Sequence, residues 1–327
     1  MRRRIGGTVI LSNTTGEPFA RRVAERLKVP YVETKNERFA DGEPDLAVKE
    51  SIRGADVFYI CPFYPDPMEM YTEVDLMNSA IRYASAERIT DVPTYMGFMR
   101  KDWKDVPRCP ISIREVAIMM EKYADRVLTM TPHSPQLQGV FRIPTDPLEP
   151  LPLLKKYCKE LGLVGRDVTV VSPDTGGAKG TERLARILGS PMGLIWKRRI
   201  EGEPEALYFI GDLRDVKDRD VLLYDDMLGT FGSMEEGADK LKSLGARSIR
   251  CFATHGLLSQ KTGLTAEERV ERSPVDEVVF TDTIPRSQEY LDRHPKLTQL
   301  SVADLFAEAI KRIHRNRSVS ELADYEF

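Results

Sequence analysis

The chain has 327 residues, of which 8% are aromatic and 30% are charged, and its formal net charge at pH 7 is −3. This length allows two domains of ordinary size, each with its own core, and the balanced charge excludes a general attraction to nucleic acid or to a membrane surface. We therefore expect a globular protein with no nucleic-acid partner and no membrane association.

The cysteines and the beginning of the chain indicate where the protein acts. No Cys-x-x-Cys pair and no zinc-like histidine spacing accompanies the four cysteines, which are Cys61, Cys109, Cys158 and Cys251. This usage predicts reduced thiols in a cytoplasmic compartment. The basic start, MRRRIGG, precedes only a short apolar run at residues 9–11, so a signal peptide is not expected. No apolar run approaches the length of a membrane span.

Predicted strands and helices alternate from the beginning of the chain. Short apolar runs predict strands at residues 8–11, 57–61, 89–95, 126–130, 168–171, 192–196, 221–224, 249–254 and 277–281. Amphipathic patterns predict helices at residues 17–27, 70–84, 112–123, 181–188, 234–244 and 302–314. This alternation is typical of βαβ units and predicts an α/β fold with parallel sheets flanked by helices.

A proline-rich stretch at residues 144–152 separates two halves of similar size and element order. We interpret it as a crossing between an N-terminal domain at residues 1–150 and a C-terminal domain at residues 151–327. The C-terminal helix is expected to pack back on the N-terminal domain. The similar order suggests an internal duplication, although no residue-level repeat supports it.

The segment at residues 220–233, DVLLYDDMLGTFGS, combines the parts of a ligand site. Its apolar run at residues 221–224 predicts a buried strand that ends at two adjacent acids, Asp225 and Asp226. The acids precede a glycine-containing turn and a helix that starts near Met234. In an open α/β sheet, the carboxyl end of a strand borders the crevice in which ligands bind.

The turn after these acids suits a phosphate monoester. Gly229 and Gly232 allow the backbone N–H groups to form an anion nest, and Thr230, Ser233 and the helix N-terminus add further donors. The adjacent carboxylates can accept hydrogen bonds from a vicinal diol, so the segment predicts a site for a pentose 5-phosphate. From this segment alone, a solvated turn or a helix N-cap is an equal alternative.

Ten collinear segments resemble the ribose-phosphate diphosphokinase family, whose members are also called PRPP synthetases. They include RFADGEPDLAVKESIRGADVF, RVLTMTPHSPQLQGVFRIPTD, VVSPDTGG, YDDMLGTFGS and ATHGLLS, and they extend over essentially the whole chain. The resemblance implies two phosphoribosyltransferase-like domains and homodimers that assemble into larger rings. It also implies transfer of the β,γ-diphosphate of MgATP to the C1 hydroxyl of ribose 5-phosphate, with Mg²⁺ as the cofactor.

The resemblance assigns ATP binding to two segments. It implies an adenine-binding loop across a subunit interface and a triphosphate-binding loop, with the residues Phe39, Asp41, Glu43, Arg100, Lys101 and Asp102. Without the resemblance, Asp41 and the glycine after it indicate only a turn beside a packed Phe39. Lys101 stands where the family usually has glutamine.

The other implied roles concern the metal, the catalytic cations and the acceptor. His133 and Asp174 match residues associated with Mg²⁺, and Asp174 is the better ligand because a hard cation prefers oxygen. His133 acts directly or through water, or it is a hydrogen-bonded structural residue. Lys197 and Arg199 match catalytic cations that neutralise charge on the transferred group. The acceptor residues are Asp225, Asp226, Gly229, Thr230, Phe231, Gly232 and Ser233.

Several positions depart from the family pattern: Gly229 replaces an aspartate, Phe231 a small alanine, Trp196 an aspartate, and Thr131 the acid two residues before His133. Three functions therefore remain open. The first is PRPP synthesis. The second is the same transfer to a larger acceptor such as ADP-ribose, whose second base would stack on Phe231 and Trp196, although Phe231 could equally fill a gap in the core. The third is a non-catalytic regulatory subunit.

Overall fold

A computed structural model describes residues 7–198, 206–260 and 263–324 of the chain. The described residues form two compact units. The first contains residues 7–149, 283–285 and 301–324, and the second contains the described residues of 150–282 and 286–300. The C-terminal helix therefore belongs to the first unit, although it follows nearly all of the second unit in the chain.

The elements of the described residues follow the predicted alternation. The strands are β1 (Thr8–Ser12), β2 (Thr34–Arg38), β3 (Pro44–Val48), β4 (Asp56–Ile60), β5 (Arg88–Val92), β6 (Arg126–Met130), β7 (Thr145–Leu148), β8 (Val168–Ser172), β9 (Met192–Arg198), β10 (Ala206–Ile210), β11 (Asp220–Leu228), β12 (Ser248–Gly256), β13 (Glu277–Thr281) and β14 (Leu297–Leu300). The helices are α1 (Glu17–Leu27), α2 (Pro67–Tyr83), α3 (Ser112–Glu121), α4 (Leu137–Val140), α5 (Leu151–Glu160), α6 (Ala178–Leu188), α7 (Gly232–Ser243), α8 (Ala266–Arg272), α9 (Gln288–Asp292) and α10 (Ala303–His314).

The first unit is built on a parallel sheet with the strand order β1-β4-β5-β6-β7. Every residue of β4 is buried, as expected for a continuous apolar run in the middle of a parallel sheet. The N-terminal and C-terminal helices pack together, since the rings of Phe19 in α1 and Phe306 in α10 meet edge to face at 5.4 Å. An ion pair of 2.9 Å between Arg26 and Asp304 joins the same two helices.

The second unit is built on a sheet with the strand order β10-β9-β8-β11-β12-β13-β14. All its pairs are parallel except the β9–β10 hairpin. Alternate residues of β11 enter two cores: Leu223 packs with residues of α7 and α8, and Leu222 and Tyr224 pack with residues of α5 and α6. The predicted α/β class, with parallel sheets flanked by helices, is confirmed.

The proline-rich stretch at residues 144–152 contains regular structure, and the boundary between the two units, after Glu149, lies within it. β7 forms the edge of the first sheet beside β6, and α5 begins at Leu151. Pro147 is tolerated in β7 because an edge strand pairs on one side only. Pro152 lies in the first turn of α5, where a missing N–H group leaves no helical hydrogen bond unmade.

The hairpin of β2 and β3 is not predicted by the sequence pattern. Its residues are largely polar and only partly buried, without the strict alternation of a half-buried strand. None of the described helices is long and apolar enough to cross a bilayer. The four cysteines are free thiols; Cys61, Cys158 and Cys251 are buried and Cys109 is partly exposed.

Asp91 in β5 is a fully buried acid in the first unit. Its Oδ2 accepts a hydrogen bond of 2.8 Å from Asn78 Nδ2 in α2. Burial raises the pKa of Asp91 from 3.8 to about 8. Because the folded state holds this proton more tightly than the unfolded state, the contribution of Asp91 to the free energy of unfolding is greatest below pH 4 and is lost as the pH rises toward 8.

We expect Asp91→Asn to flatten this pH dependence, because an amide does not ionise. Between pH 5 and 7.5 the free energy of unfolding of the wild type should fall with pH more steeply than that of the variant. The difference is up to about 1.4 kcal/mol per pH unit, which corresponds to the release of one proton. Urea unfolding at a series of pH values measures the slope. The control Asp218→Asn removes an exposed acid and should keep the wild-type slope. A slope unchanged by Asp91→Asn would contradict the expectation.

Candidate active site

The two acids predicted to follow the central strand lie inside it. The predicted strand at residues 221–224 ends too early, because β11 continues to Leu228 and stays paired with β12 through Leu228 and Gly256. On its other side, the pairing with β8 stops at Leu223. The part of β11 after Leu223 therefore has a strand neighbour on one side only. This leaves Asp225 and Asp226 at an open edge at the carboxyl end of the sheet.

The loop between β8 and α6 approaches Asp225 closely. A Cβ atom at Gly177 would lie 3.4 Å from Asp225 Oδ1 and only 2.8 Å from Ser172 Oγ, so the loop requires glycine there. The backbone N–H groups of Gly176 and Gly177 donate to Asp174 Oδ1 at 2.8 and 3.2 Å. The structure thus brings Asp174, predicted for the metal, and Asp225, predicted for the sugar, to the same end of the second sheet.

Asp225 has an unusual electrostatic environment. Burial, followed by the charges of Asp226 and Asp174, raises its pKa to about 8. Its Oδ1 accepts a 2.9 Å hydrogen bond from the backbone N–H of Asp226. Three carboxyl groups in electrostatic range favour ligands that bring hydrogen-bond donors or positive charge. Within the described residues, no group of three or more His, Cys, Asp or Glu side chains is arranged to hold a metal ion unaided.

The turn at residues 229–233, here called the 229–233 turn, leads from β11 into α7. The helix begins at Gly232, two residues before the predicted start, and no side-chain hydrogen bond caps its N-terminus. The turn is held by a 2.9 Å bond from the Ser259 N–H group to Gly229 O. Thr230 Oγ1 lies 3.8 Å from the place of a Cβ on Gly232. The positive end of the α7 dipole and nearby hydroxyls therefore favour an anion here.

The aromatic residues near the 229–233 turn do not line it. Phe231 is only 2% exposed and packs in the core with Met234, so of the two roles left open for its ring the structure has the core-filling one and not stacking on a second base. Its φ of 65° is the left-handed conformation that precedes α7. Trp196 stacks on Tyr208 of β10 with ring centroids 5.7 Å apart. Since successive strand residues face opposite sides, Trp196 points away from the side that Lys197 occupies.

Lys197 of β9 lies beside the 229–233 turn. Its Nζ is 3.2 Å from Ser233 Oγ and 2.6 Å from Glu236 Oε2 of α7. No spacing rule predicts Glu236, which is 39 residues away from Lys197 in the chain. The second predicted catalytic cation, Arg199, lies outside the described residues.

The predicted adenine loop is the tip of the β2–β3 hairpin in the first unit. The Phe39 N–H group donates to Glu43 O and the Gly42 N–H group to Phe39 O, both at 2.9 Å. Gly42 has a φ of 92°, which favours glycine, and the Glu43 N–H group donates to Asp41 Oδ1 at 3.2 Å. The turn indicated by the sequence is thus present, but Phe39 is 54% exposed and not packed.

The other first-unit candidates follow two adjacent strands. Arg100, Lys101 and Asp102 lie in the loop after β5, and His133 lies in the loop after β6. Arg100 and His133 are exposed, and Lys101 forms an ion pair with Asp105. The carboxyl ends of neighbouring parallel strands meet at one edge of the sheet, so this placement is compatible with a shared ligand.

Glu149 is a candidate site residue that the sequence pattern does not identify. Thr131 stands where the family has an acid, and its Oγ1 donates to Glu149 Oε2 at 3.2 Å while its N–H group donates to Leu148 O at 2.8 Å. The carboxylate of Glu149 therefore lies next to Thr131, which is two residues before His133 in the chain. Predicting this contact requires β7, which the proline-rich composition of the segment obscures.

Comparisons with known proteins identify the family of the chain. The model for the N-terminal domain of ribose phosphate pyrophosphokinase matches residues 8–123, and the model for the phosphoribosyl synthetase-associated domain matches residues 203–324. The ribose-phosphate pyrophosphokinase of Helicobacter hepaticus is 38% identical over 318 residues, covering 97% of this chain and 99% of that protein. The enzyme of the same name from Thermotoga maritima is 38% identical over 317 residues, covering 96% and 97%.

A solved structure is similar over the same length. The crystal structure of phosphoribosylpyrophosphate synthetase from Mycobacterium smegmatis superposes with a TM-score of 0.86 at 32% sequence identity. The superposition covers 95% of this chain and 100% of that chain. The similarity therefore extends to the whole fold and is not limited to a single domain.

Proposed function

The chain belongs to the ribose-phosphate pyrophosphokinase family, and on this premise we propose that it makes PRPP and AMP from ATP and ribose 5-phosphate. The observation that carries the proposal is the adjacency of three features in the second unit: a carboxylate-rich strand end, the 229–233 turn at an uncapped helix N-terminus, and the ammonium of Lys197. Neither a larger acceptor nor a non-catalytic role is supported by the names of the relatives.

The acceptor is held at both of its ends. Asp225 and Asp226 accept hydrogen bonds from the 2- and 3-hydroxyl groups of ribose. Gly229, Thr230, Phe231, Gly232 and Ser233 supply backbone N–H groups and hydroxyls to the 5-phosphate. Phe231 takes part through its backbone alone, because its ring lies in the core. The buried carboxyl of Asp225 favours a donor-rich partner, which a vicinal diol is.

The C1 hydroxyl oxygen forms a bond to the β-phosphorus of ATP. The bond from that phosphorus to the α,β-bridging oxygen breaks, AMP leaves with the electron pair, and the hydroxyl proton is released. Lys197 and Arg199 neutralise the charge that the phosphate oxygens carry during this displacement. The protein orients the two substrates and stabilises charge, and no covalent intermediate between the protein and the transferred group is formed.

Mg²⁺ fits the residues available. Asp174 Oδ1 accepts two backbone N–H bonds, which orient the carboxylate and leave Oδ2 for a cation. Mg²⁺ commonly keeps several waters and takes one or two carboxylates together with substrate phosphates, so a group of three protein ligands is not needed. Asp174 of the second unit would hold the ion, and His133 of the first unit would bind Mg²⁺ directly or through water. The bound ion would neutralise the diphosphate.

ATP binding involves the hairpin tip. The exposed ring of Phe39 offers a stacking surface for adenine, and Asp41 and Glu43 accept from the amino group of the base. Arg100, Lys101 and Asp102 act on the triphosphate. We further propose that the chain forms homodimers or larger homo-oligomers, in which the hairpin tip serves a site shared with another copy, and that the protein acts in the cytoplasm.

The test is AMP release from MgATP by the purified protein, measured in parallel with ribose 5-phosphate, unphosphorylated ribose and ADP-ribose. We expect turnover with ribose 5-phosphate only, together with a product whose mass equals that of the acceptor plus a diphosphate. Ribose serves as the matched control because it keeps the diol and lacks the phosphate. Turnover with ADP-ribose alone, or with none of the acceptors, would overturn the proposal.

A further inference from the structure

Lys197 is held by two neighbours on the same helix. Its Nζ donates to Ser233 Oγ at 3.2 Å and forms an ion pair with Glu236 Oε2 at 2.6 Å. Ser233 and Glu236 are three residues apart in α7, so their side chains lie on one face of the helix and one ammonium can reach both. The Lys197 side chain is only 18% exposed, whereas Glu236 is half exposed.

The ammonium therefore lies between an anion that belongs to the protein and a site for an anion that belongs to the substrate. Ser233 is part of the 229–233 turn, to which we assign the 5-phosphate. A lysine ammonium has three N–H donors, and two of them are already engaged. Its positive charge is largely neutralised by the carboxylate beside it, so its attraction for a further anion is reduced.

Resting on the proposed function, we propose that Glu236 competes with the 5-phosphate of the acceptor for Lys197. In the free enzyme the carboxylate keeps the lysine beside the 229–233 turn and offsets its charge. The acceptor phosphate, with a larger charge than the carboxylate, draws the ammonium from Glu236 when it binds, and the released side chain then serves the transferred diphosphate during the displacement. Glu236 is thus a positioning residue that weakens the affinity for the acceptor and makes the placement of Lys197 depend on the substrate.

The chain contains a matched control for this role. Glu235 is the residue before Glu236 on α7, but its Oε2 pairs with Arg269 Nη1 at 2.6 Å and not with Lys197. Glu235→Gln and Glu236→Gln remove one negative charge from adjacent positions of the same helix. Only Glu236→Gln frees the lysine, so a difference between the two variants isolates the competition from the change in net charge.

The experiment is a double-mutant comparison of ribose 5-phosphate affinity. Calorimetry in the presence of Mg²⁺ and α,β-methylene ATP measures the Kd of ribose 5-phosphate. The bridging bond of this analogue does not break in the transfer, so no turnover occurs during the measurement. We expect Lys197→Ala to weaken binding about 3-fold in the wild-type and Glu235→Gln backgrounds, because the ion pair with Glu236 already offsets most of the charge of the lysine. In the Glu236→Gln background the same substitution should weaken binding about 10-fold or more, because the freed ammonium makes a charge-assisted bond to the phosphate.

The outcomes separate the inference from the proposed function. Equal costs of Lys197→Ala in all three backgrounds would mean that Glu236 has only a structural effect, and a smaller cost in Glu236→Gln would mean that the carboxylate assists the lysine. Either result overturns the competition while PRPP synthesis by the wild type stands. A wild-type protein that neither binds nor converts ribose 5-phosphate would overturn the proposed function and the inference together. Melting temperatures check that every variant is folded.

Discussion

Lys197→Ala is expected to lower kcat for PRPP formation by about 100-fold or more, the loss of about 3 kcal/mol of transition-state stabilisation. The ammonium is partly buried and lies beside the 229–233 turn, so its charge acts in a region that solvent screens only weakly. The KM for ATP should change much less than kcat, because the proposed role of the lysine is to stabilise charge in the transition state and not to bind ATP in the ground state. Steady-state assays of AMP release measure both parameters.

The matched control for this substitution is Lys217→Ala. Lys217 is an exposed lysine of the same unit and lies before the amino end of β11, away from the 229–233 turn. The Lys217→Ala variant should keep kcat within a few-fold of wild type. Because Lys197 forms an ion pair with a half-exposed partner, Lys197→Ala should lower the free energy of unfolding by about 1 kcal/mol or less. A folded Lys197→Ala protein with turnover within a few-fold of wild type would remove Lys197 from the catalytic assignment.

The strands and helices that could be predicted from the sequence are those with a strong apolar pattern. β6 and β13 and helix α1 have the predicted bounds, because buried runs and an amphipathic face are properties of the local sequence. β2, β3 and β7 could not be predicted in this way. They are polar or contain proline, and their pairing depends on neighbours that are distant in the chain.

In the candidate site, too, some features follow from the local sequence and others depend on the fold. The 229–233 turn and the acids before it are contiguous, so the local sequence could predict their place near the end of a buried strand, and the sugar-phosphate role assigned to them stays a prediction. The direction of Phe231 could not, because the left-handed backbone before α7 turns its ring into the core. The contacts of Lys197 with Glu236 and of Thr131 with Glu149 join residues far apart in sequence. Only the sheet order brings such partners together, and no local pattern encodes it.

Asp225→Asn is expected to weaken the binding of ribose 5-phosphate by about 10- to 100-fold and to leave ATP binding unchanged. An amide keeps the size of the side chain but has one acceptor oxygen fewer and no negative charge, so it holds the hydroxyl donors of the sugar more weakly. Because the pKa of Asp225 is about 8, its carboxylate is the main form above that pH, and there the loss of a hydrogen bond to a charged group is worth about 1.5–3 kcal/mol. Calorimetry with ribose 5-phosphate, and separately with MgATP, measures the two affinities.

Asp220→Asn provides the matched control, because it makes the same chemical change at the opposite end of the same strand. Asp220 pairs with Arg247 and lies at the amino end of β11, where no acceptor residue is assigned. It should lose some stability and keep the affinity for the sugar phosphate. If both variants bind ribose 5-phosphate like the wild type, the diol is not held by Asp225. The carboxylates at the open end of β11 would then serve the metal and diphosphate, and the ribose hydroxyls would need another acceptor.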